Sequence, residues 1–302
     1  MFYSYILMIL VVIFYSGNIL VGKAINELPP FTIAFFRLLI AFMIVLPIAW
    51  KKTWINRGVF FEYKWPFLWM TLAGVTFFNT FIYGSLQFTT SSNVAVLETI
   101  IPALTVILSA FVLKERLLNV QWFGVILSVM GAIWVVVDGR LFQLASMDWN
   151  IGDGIMIGAI ISWSVYSILV KMYMYRFPPF AALFVMTGIS LLVLLPFVVG
   201  EWLIFGVPEL FQTDLITGLL YLGIFPSFVA LILFNRAVDK LGASQSSVFL
   251  NLLPVFTMIG AYVWLGEEIT TMHITGTAIV ILGVTLTTQG GKFIKRKNTE
   301  TT

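Results

Sequence analysis

Residues 19–47 read ILVGKAINELPPFTIAFFRLLIAFMIVLP, and residues 168–196 read ILVKMYMYRFPPFAALFVMTGISLLVLLP. Laid on each other at an offset of 149, Pro29 and Pro30 fall on Pro178 and Pro179, and Pro47 falls on Pro196. A second match sets NVAVLETIIPALTVILSAFVLKERL, from Asn93, against QSSVFLNLLPVFTMIGAYVWLGEEI, from Gln245. Its offset is 152, and it aligns Pro102 with Pro254, Glu115 with Glu267, Gly124 with Gly276 and Gly131 with Gly283. Apolar runs align easily by chance, but prolines and glycines at one steady offset do not. The chain is written twice.

What is written twice is membrane sequence. The chain is 60% hydrophobic and only 10% charged, against about 25% charged in soluble domains. Such an apolar excess cannot be hidden in a soluble core, so the lipid bilayer is part of the solvent. Ten runs are long enough to cross it. They are 5–24, 31–50, 66–87, 93–113 and 120–137, then 154–172, 179–199, 215–235, 244–264 and 272–288. In hydrocarbon the backbone must satisfy itself, and runs of this length do so as helices. The expected class is an all-α integral membrane protein of ten transmembrane helices. Its expected units are a five-helix repeat at 1–140, a second at 150–291, and a basic cytoplasmic tail at 292–302. The first twenty residues lack a basic start and a cleavage-like site, so they read as a retained span and not as a signal peptide.

Ten spans leave both termini on one side. Fourteen of the 17 Lys and Arg fall in loops on that side, two (Lys23 and Arg140) in the opposite loops, and Arg37 inside a span. The positive-inside rule then makes the termini cytoplasmic, in the cell membrane. Five spans per copy is an odd number, so the second copy enters the membrane from the opposite face. Inverted repeats of this kind belong to transporters that alternate access around a site near the midplane.

The stretches YSGNILVGK…LPPFTIAFFRLLIA, KER…FGVILSVMGAIWV and NLLPVF…GEE…GTAIVILGV resemble the EamA family of the drug/metabolite transporter superfamily. The resemblance covers nearly the whole chain, in both copies. It implies ten helices in two inverted bundles around a central cavity. It also implies movement of amino acids or other small metabolites, most often outward. An arginine at position 37 is usual in that family; a glutamate at 98 is not generally associated with it.

Candidate site residues follow from what is expensive in lipid. Pro102 and Pro254 sit inside spans and deprive the carbonyls of Glu98 and Leu250 of their helical partners. Such kinks are tolerated where they line a cavity, so Glu98, Thr99, Gln245, Ser247 and Asn251 become candidates for substrate binding. Arg37 and Glu98 are the only charges deep inside spans, at similar depth when counted at about 1.5 Å per residue. In the second copy they align with Met186 and Leu250, absent together. An ion pair between them is the economical expectation. Two other arrangements stay open: Arg37 snorkelling to the headgroups, and Glu98 facing the cavity alone as a proton carrier. Asn18 on the first span, Asn79 and Tyr83 one turn apart on the third, and Trp163 on the sixth complete the set. Trp50, Trp54, Trp65 and Trp69 read as interfacial anchors. Gly124 with Gly131, and Gly276 with Gly283, read as close-packing faces for scaffold or for a homodimer. Lys114-Glu115-Arg116 and Glu267-Glu268 read as solvated helix ends.

Other classes find little support. There is no cysteine and one histidine, His273, and no nucleophile elbow, so neither catalysis nor a metal or cofactor is expected. No GxxxxGK[ST] loop occurs, so ATP is not the driver. The basic residues form no patch for nucleic acid. A channel would want rings of charge or a carbonyl filter. The expected partners are a small-molecule substrate, the bilayer and a proton as candidate coupling ion. Substrates of the drug, nucleoside or sugar kind, and uptake in place of export, stay open.

Overall fold

The structure, a computed structural model, describes residues 2–114, 117–137, 150–241 and 249–300. Among them there is helix and no strand. Nine described helices are long and apolar enough to cross a bilayer. They are α1 (Tyr3–Ala24), α2 (Pro30–Ile55), α3 (Lys64–Leu86), α4 (Ser91–Val112), α5 (Asn119–Val136), α6 (Ile151–Arg176), α7 (Pro179–Phe205) and α8 (Thr213–Phe234), with α10 (Thr271–Thr288). The remaining span, α9 (Leu253–Leu265), is shorter where it is described. The expected candidates Gln245 and Ser247 lie outside the described residues, ahead of it.

Local chemistry sets the helix starts. Pro30 and Pro179 open α2 and α7 at the first helical position, where proline's missing N–H costs nothing. Thr90 caps α4 by accepting from the Asn93 amide, and Asn150 caps α6 by accepting from the Gly152 amide. Large apolar side chains such as Met130, Leu192, Leu203 and Phe205 stand outward, as lipid-facing residues do. Trp50, Trp54, Trp65 and Trp69 are exposed around the α2–α3 connection, where interfacial anchors belong.

The two five-helix repeats interlock, and the contacts obey an approximate two-fold. Helix α2 packs on α7, and α5 on α10, so each of these pairs joins a helix to its own copy. Helix α1 packs on α8 and α9; in the mirrored relation α6 packs on α3 and α4. The glycine faces explain the tightest seam. A Cβ on Gly124 would stand 2.6 Å from the Gly283 carbonyl, and one on Gly283 only 2.4 Å from the Ser128 amide. These glycines serve the α5–α10 contact within one chain. The stripe is filled from inside and offers no face to a second copy.

Two carboxylates tie the halves together at helix N-termini. Glu201 on α7 accepts from the amides of Phe31 and Thr32, at 2.9 and 2.8 Å, and from the Thr32 hydroxyl. Glu267, between α9 and α10, accepts from the amide and hydroxyl of Ser91, at 2.8 and 2.7 Å, and from those of Ser92, at 3.2 and 2.8 Å. The first amides of a helix are unpaired and carry its positive end, so a carboxylate there is doubly favoured. Burial pushes the Glu267 carboxyl up, but the bonds from Ser91 and Ser92 outweigh it and hold the group below its usual value. Glu267 is therefore no solvated helix end.

Candidate functional site

The side chain of Arg37 is 5% exposed and does not snorkel. Its Nη1 donates to Asn18 Oδ1 at 2.9 Å, to Asn79 Oδ1 at 2.7 Å and to the Tyr83 hydroxyl. Its Nη2 and Nε donate to Ser227 Oγ at 2.8 and 3.3 Å. One guanidinium on α2 thus joins α1, α3 and α8. Neutral oxygens answer the charge, and the expected ion pair with Glu98 is not formed. Similar depth did not make the two neighbours. Helix α2 packs on α3, α7 and α8, whereas the Ser91–Glu98 piece of α4 packs chiefly on α1, α6, α9 and α10.

Each acceptor is itself positioned. The Asn79 amide donates to the Val75 carbonyl at 2.9 Å, which turns its oxygen toward Arg37. Tyr83 hydroxyl donates to Asn18 Oδ1 at 3.0 Å. Ser227 was not anticipated from the sequence, although a signal was there. Pro226 has no amide hydrogen for the Leu222 carbonyl four residues back. The Ser227 hydroxyl takes that carbonyl at 2.7 Å and turns its lone pairs to Arg37. The exchange occurs in a π-turn, Phe225–Val229, and α3 has its own π-turn at Thr71–Phe77, just before Asn79. Such turns are rare and concentrate at functional sites.

Glu98 has a different setting. Helix α4 is broken into Ser91–Glu98 and Ile101–Val112, with Pro102 just past the break. Glu98 ends the first piece, half-buried, and its carboxylate accepts no hydrogen bond among the described residues. Its piece of α4 packs on α1, which carries Tyr15, and on the part of α3 that carries Tyr83. Trp163 on α6 is half-buried and lies tilted against Phe78 at 4.3 Å and against Tyr166 at 5.0 Å between ring centres. The polar cluster on Arg37 therefore draws on α1, α2, α3 and α8, and the aromatic group on α3 and α6, with α4 packed on α1, α3 and α6.

Two other expected residues stand apart. Thr99 is buried, and its hydroxyl is spent on the Val96 carbonyl of its own helix at 2.5 Å. Asn251 is buried against α10, with a long bond to Thr285 at 3.5 Å. The proline breaks themselves are matched. Ser164 on α6 donates to the Ile101 carbonyl, just before Pro102, at 3.4 Å, and Ser16 on α1 donates to the Leu253 carbonyl, just before Pro254, at 3.2 Å. The same contact is built once in each direction across the two-fold.

Known proteins agree with this architecture. The profile of the EamA-like transporter family matches residues 2–137 and again residues 150–289. An uncharacterized transporter of Archaeoglobus fulgidus is 27% identical over 296 residues, spanning 94% of this chain and 97% of that one. A probable amino-acid metabolite efflux pump of Salmonella typhimurium is 25% identical over 287 residues, 92% of each chain. A crystal structure with 18% sequence identity superposes with a TM-score of 0.61 over 94% of this chain and 98% of that one, a likeness of fold.

Proposed function

The chain belongs to the EamA-like transporter family, and on that premise we propose that it is a secondary transporter exporting amino acids or related small metabolites by alternating access. One observation carries the reading: a buried polar cluster on Arg37 joins the two copies, and each copy has a proline break, in α4 and in α9, that a serine of the other copy contacts. Broken helices placed alike in both halves are the parts such a transporter rocks about a fixed site. The name of the Salmonella relative supports outward movement of amino-acid metabolites.

In this reading the repeats are residues 1–140 and 150–291, and residues 292–302 form a basic tail. The membrane is the cell membrane and the termini are cytoplasmic, as the lysine and arginine count favours. Substrate meets Glu98 and Trp163, the cluster of Arg37 with Asn18, Asn79 and Tyr83 holds the helices around the site, and Pro102 and Pro254 shape the walls. Glu98 is the group that carries a proton if transport is proton-coupled, since it is the carboxylate inside a span that has no partner among the described residues. A homodimer would need a face other than the glycine seam. The test is reconstitution in liposomes: saturable uptake and counterflow of an amino acid support the reading. Flux that rises linearly with concentration, with no counterflow, makes the protein a channel and defeats it.

A further inference from the structure

We infer that the central site recognises its substrate by an ammonium group, held at Glu98 against the aromatic group of α3 and α6, and that Arg37 does not read a substrate carboxylate. The inference rests on the transporter reading and names the substrate class of that site: organic amines with an apolar or aromatic body.

Arg37 is the residue a carboxylate would be expected to seek. Its guanidinium is already engaged by Asn18, Asn79, Tyr83 and Ser227, from three other helices, and is almost wholly enclosed. A carboxylate could reach it only by unstitching α1, α3 and α8 from α2. The arginine is therefore a fastener.

Glu98 is the reverse case. Among the described residues it has no hydrogen-bond donor and no cation, inside a span where a lone carboxylate is costly. Its position adds to its pull on a cation. It closes the first piece of α4, so the negative end of that helix lies beside it. Pro102 leaves the Glu98 carbonyl without a helical donor, which puts one more oxygen at the break. Helix α1, which carries Tyr15, and α6, which carries Trp163 and Tyr166, both pack on the piece of α4 that Glu98 ends, and the Phe78, Trp163 and Tyr166 rings lie tilted against one another. Ring faces attract ammonium groups and accommodate apolar bodies. An amine would supply the counter-charge that the ion pair with Arg37 does not.

The test uses purified protein in nanodiscs near neutral pH and three probes of one shape. Phenylalanine amide has the ammonium and no carboxylate, phenylalanine has both, and N-acetylphenylalanine amide has neither. The amide is expected to bind within a few-fold of phenylalanine. The acetylated probe should bind at least about tenfold more weakly, the scale of one charge-assisted hydrogen bond. Glu98→Gln should weaken the amide by a similar factor while the folded state survives, and Trp163→Leu should weaken both amine probes together. The inference is overturned if the acetylated probe binds as well as the amide, if phenylalanine outbinds the amide more than tenfold, or if Glu98→Gln leaves amide binding unchanged. Liposome counterflow separates this outcome from failure of the reading beneath it. Saturable transport of metabolites without an amine sinks the inference and keeps the transporter; absence of saturable flux for every amino acid tried sinks the transporter.

Discussion

Arg37→Met tests whether the buried cation is held by dipoles or by a counter-charge. Four neutral side chains answer it. Side-chain hydrogen bonds inside membrane proteins average about 0.6 kcal/mol, so four partners together hold roughly 2–3 kcal/mol. Against that, an arginine at the centre of a spanning helix costs about 2.5–3.5 kcal/mol to insert. The variant loses the first quantity and is relieved of the second, so the two nearly cancel. What remains depends on the partners left behind. Asn18 keeps Tyr83, and Ser227 keeps the Leu222 carbonyl. Asn79 Oδ1 loses its donor, and an orphaned buried acceptor costs about 1–3 kcal/mol. The expected net loss is about 1–2 kcal/mol, clearly below the roughly 3–5 kcal/mol of a buried ion pair broken on one side.

Denaturant unfolding in detergent, run as two double-mutant cycles, separates these cases. With Glu98→Leu the effects should add to within about 0.5 kcal/mol, because the two side chains share no bond. With Tyr83→Phe they should couple by about 0.6–1.7 kcal/mol. Glu98→Leu alone should stabilise the protein while removing transport, since it deletes a carboxylate that has no partner among the described residues. A single-variant loss above about 4 kcal/mol, with strong coupling to Glu98, would show that the ion pair exists and that the cluster of neutral acceptors is not what holds Arg37.

Four further outcomes are expected. Because the Glu267 carboxyl is held below its usual value, its contribution to stability is full above about pH 4.3 and is lost as pH falls through the lower folded value; Glu267→Gln should flatten that acid limb in a melting-temperature series. Pro102→Ala and Pro254→Ala restore a helical donor and straighten a cavity wall, so transport per folded molecule should fall more than melting temperature does; unchanged transport would reduce the kinks to packing. Gly283→Ala drives a methyl against the Ser128 backbone at 2.4 Å, whereas Gly154→Ala meets nothing within 4 Å, so the first should abolish folded protein and the second should be silent. In this cysteine-free chain, Glu27→Cys should react with an impermeant thiol reagent in intact cells and Lys51→Cys should not; the reverse pattern inverts the orientation.

Depth and repetition are one-dimensional, and the sequence carries them well. The spans, the doubled proline pairs and the breaks at Pro102 and Pro254 could be read because each is a property of one helix or of a fixed offset. Lateral position is not. Whether Arg37 faces Glu98 or Ser227 depends on which helices pack side by side, and that is set by long-range contacts such as α2 with α8. The carboxylate caps were hidden for the same reason: Glu201 lies 169 residues from the Thr32 amide it holds. At Thr99 a local choice was hidden as well: a threonine hydroxyl beside a break can bond its own helix, as it does here to the Val96 carbonyl.

What the two copies share and what they do not divides the machine further. The proline breaks, their serine contacts from α1 and α6, and the π-turns of α3 and α8 occur in both halves. Such paired features suit motion, because an exchange of inward and outward states needs each half to adopt the shape of the other. The charges occur once. Met186 and Leu250 stand where Arg37 and Glu98 would repeat, and Met186 is fully packed. A site that turned with the two-fold would meet its substrate differently in the two states. A site loaded on one half can hold the same contacts while the shared breaks move around it. On that reasoning, transplanting Glu98 to position 250 should not create a second site, and a Glu98→Leu, Leu250→Glu exchange should leave transport lost.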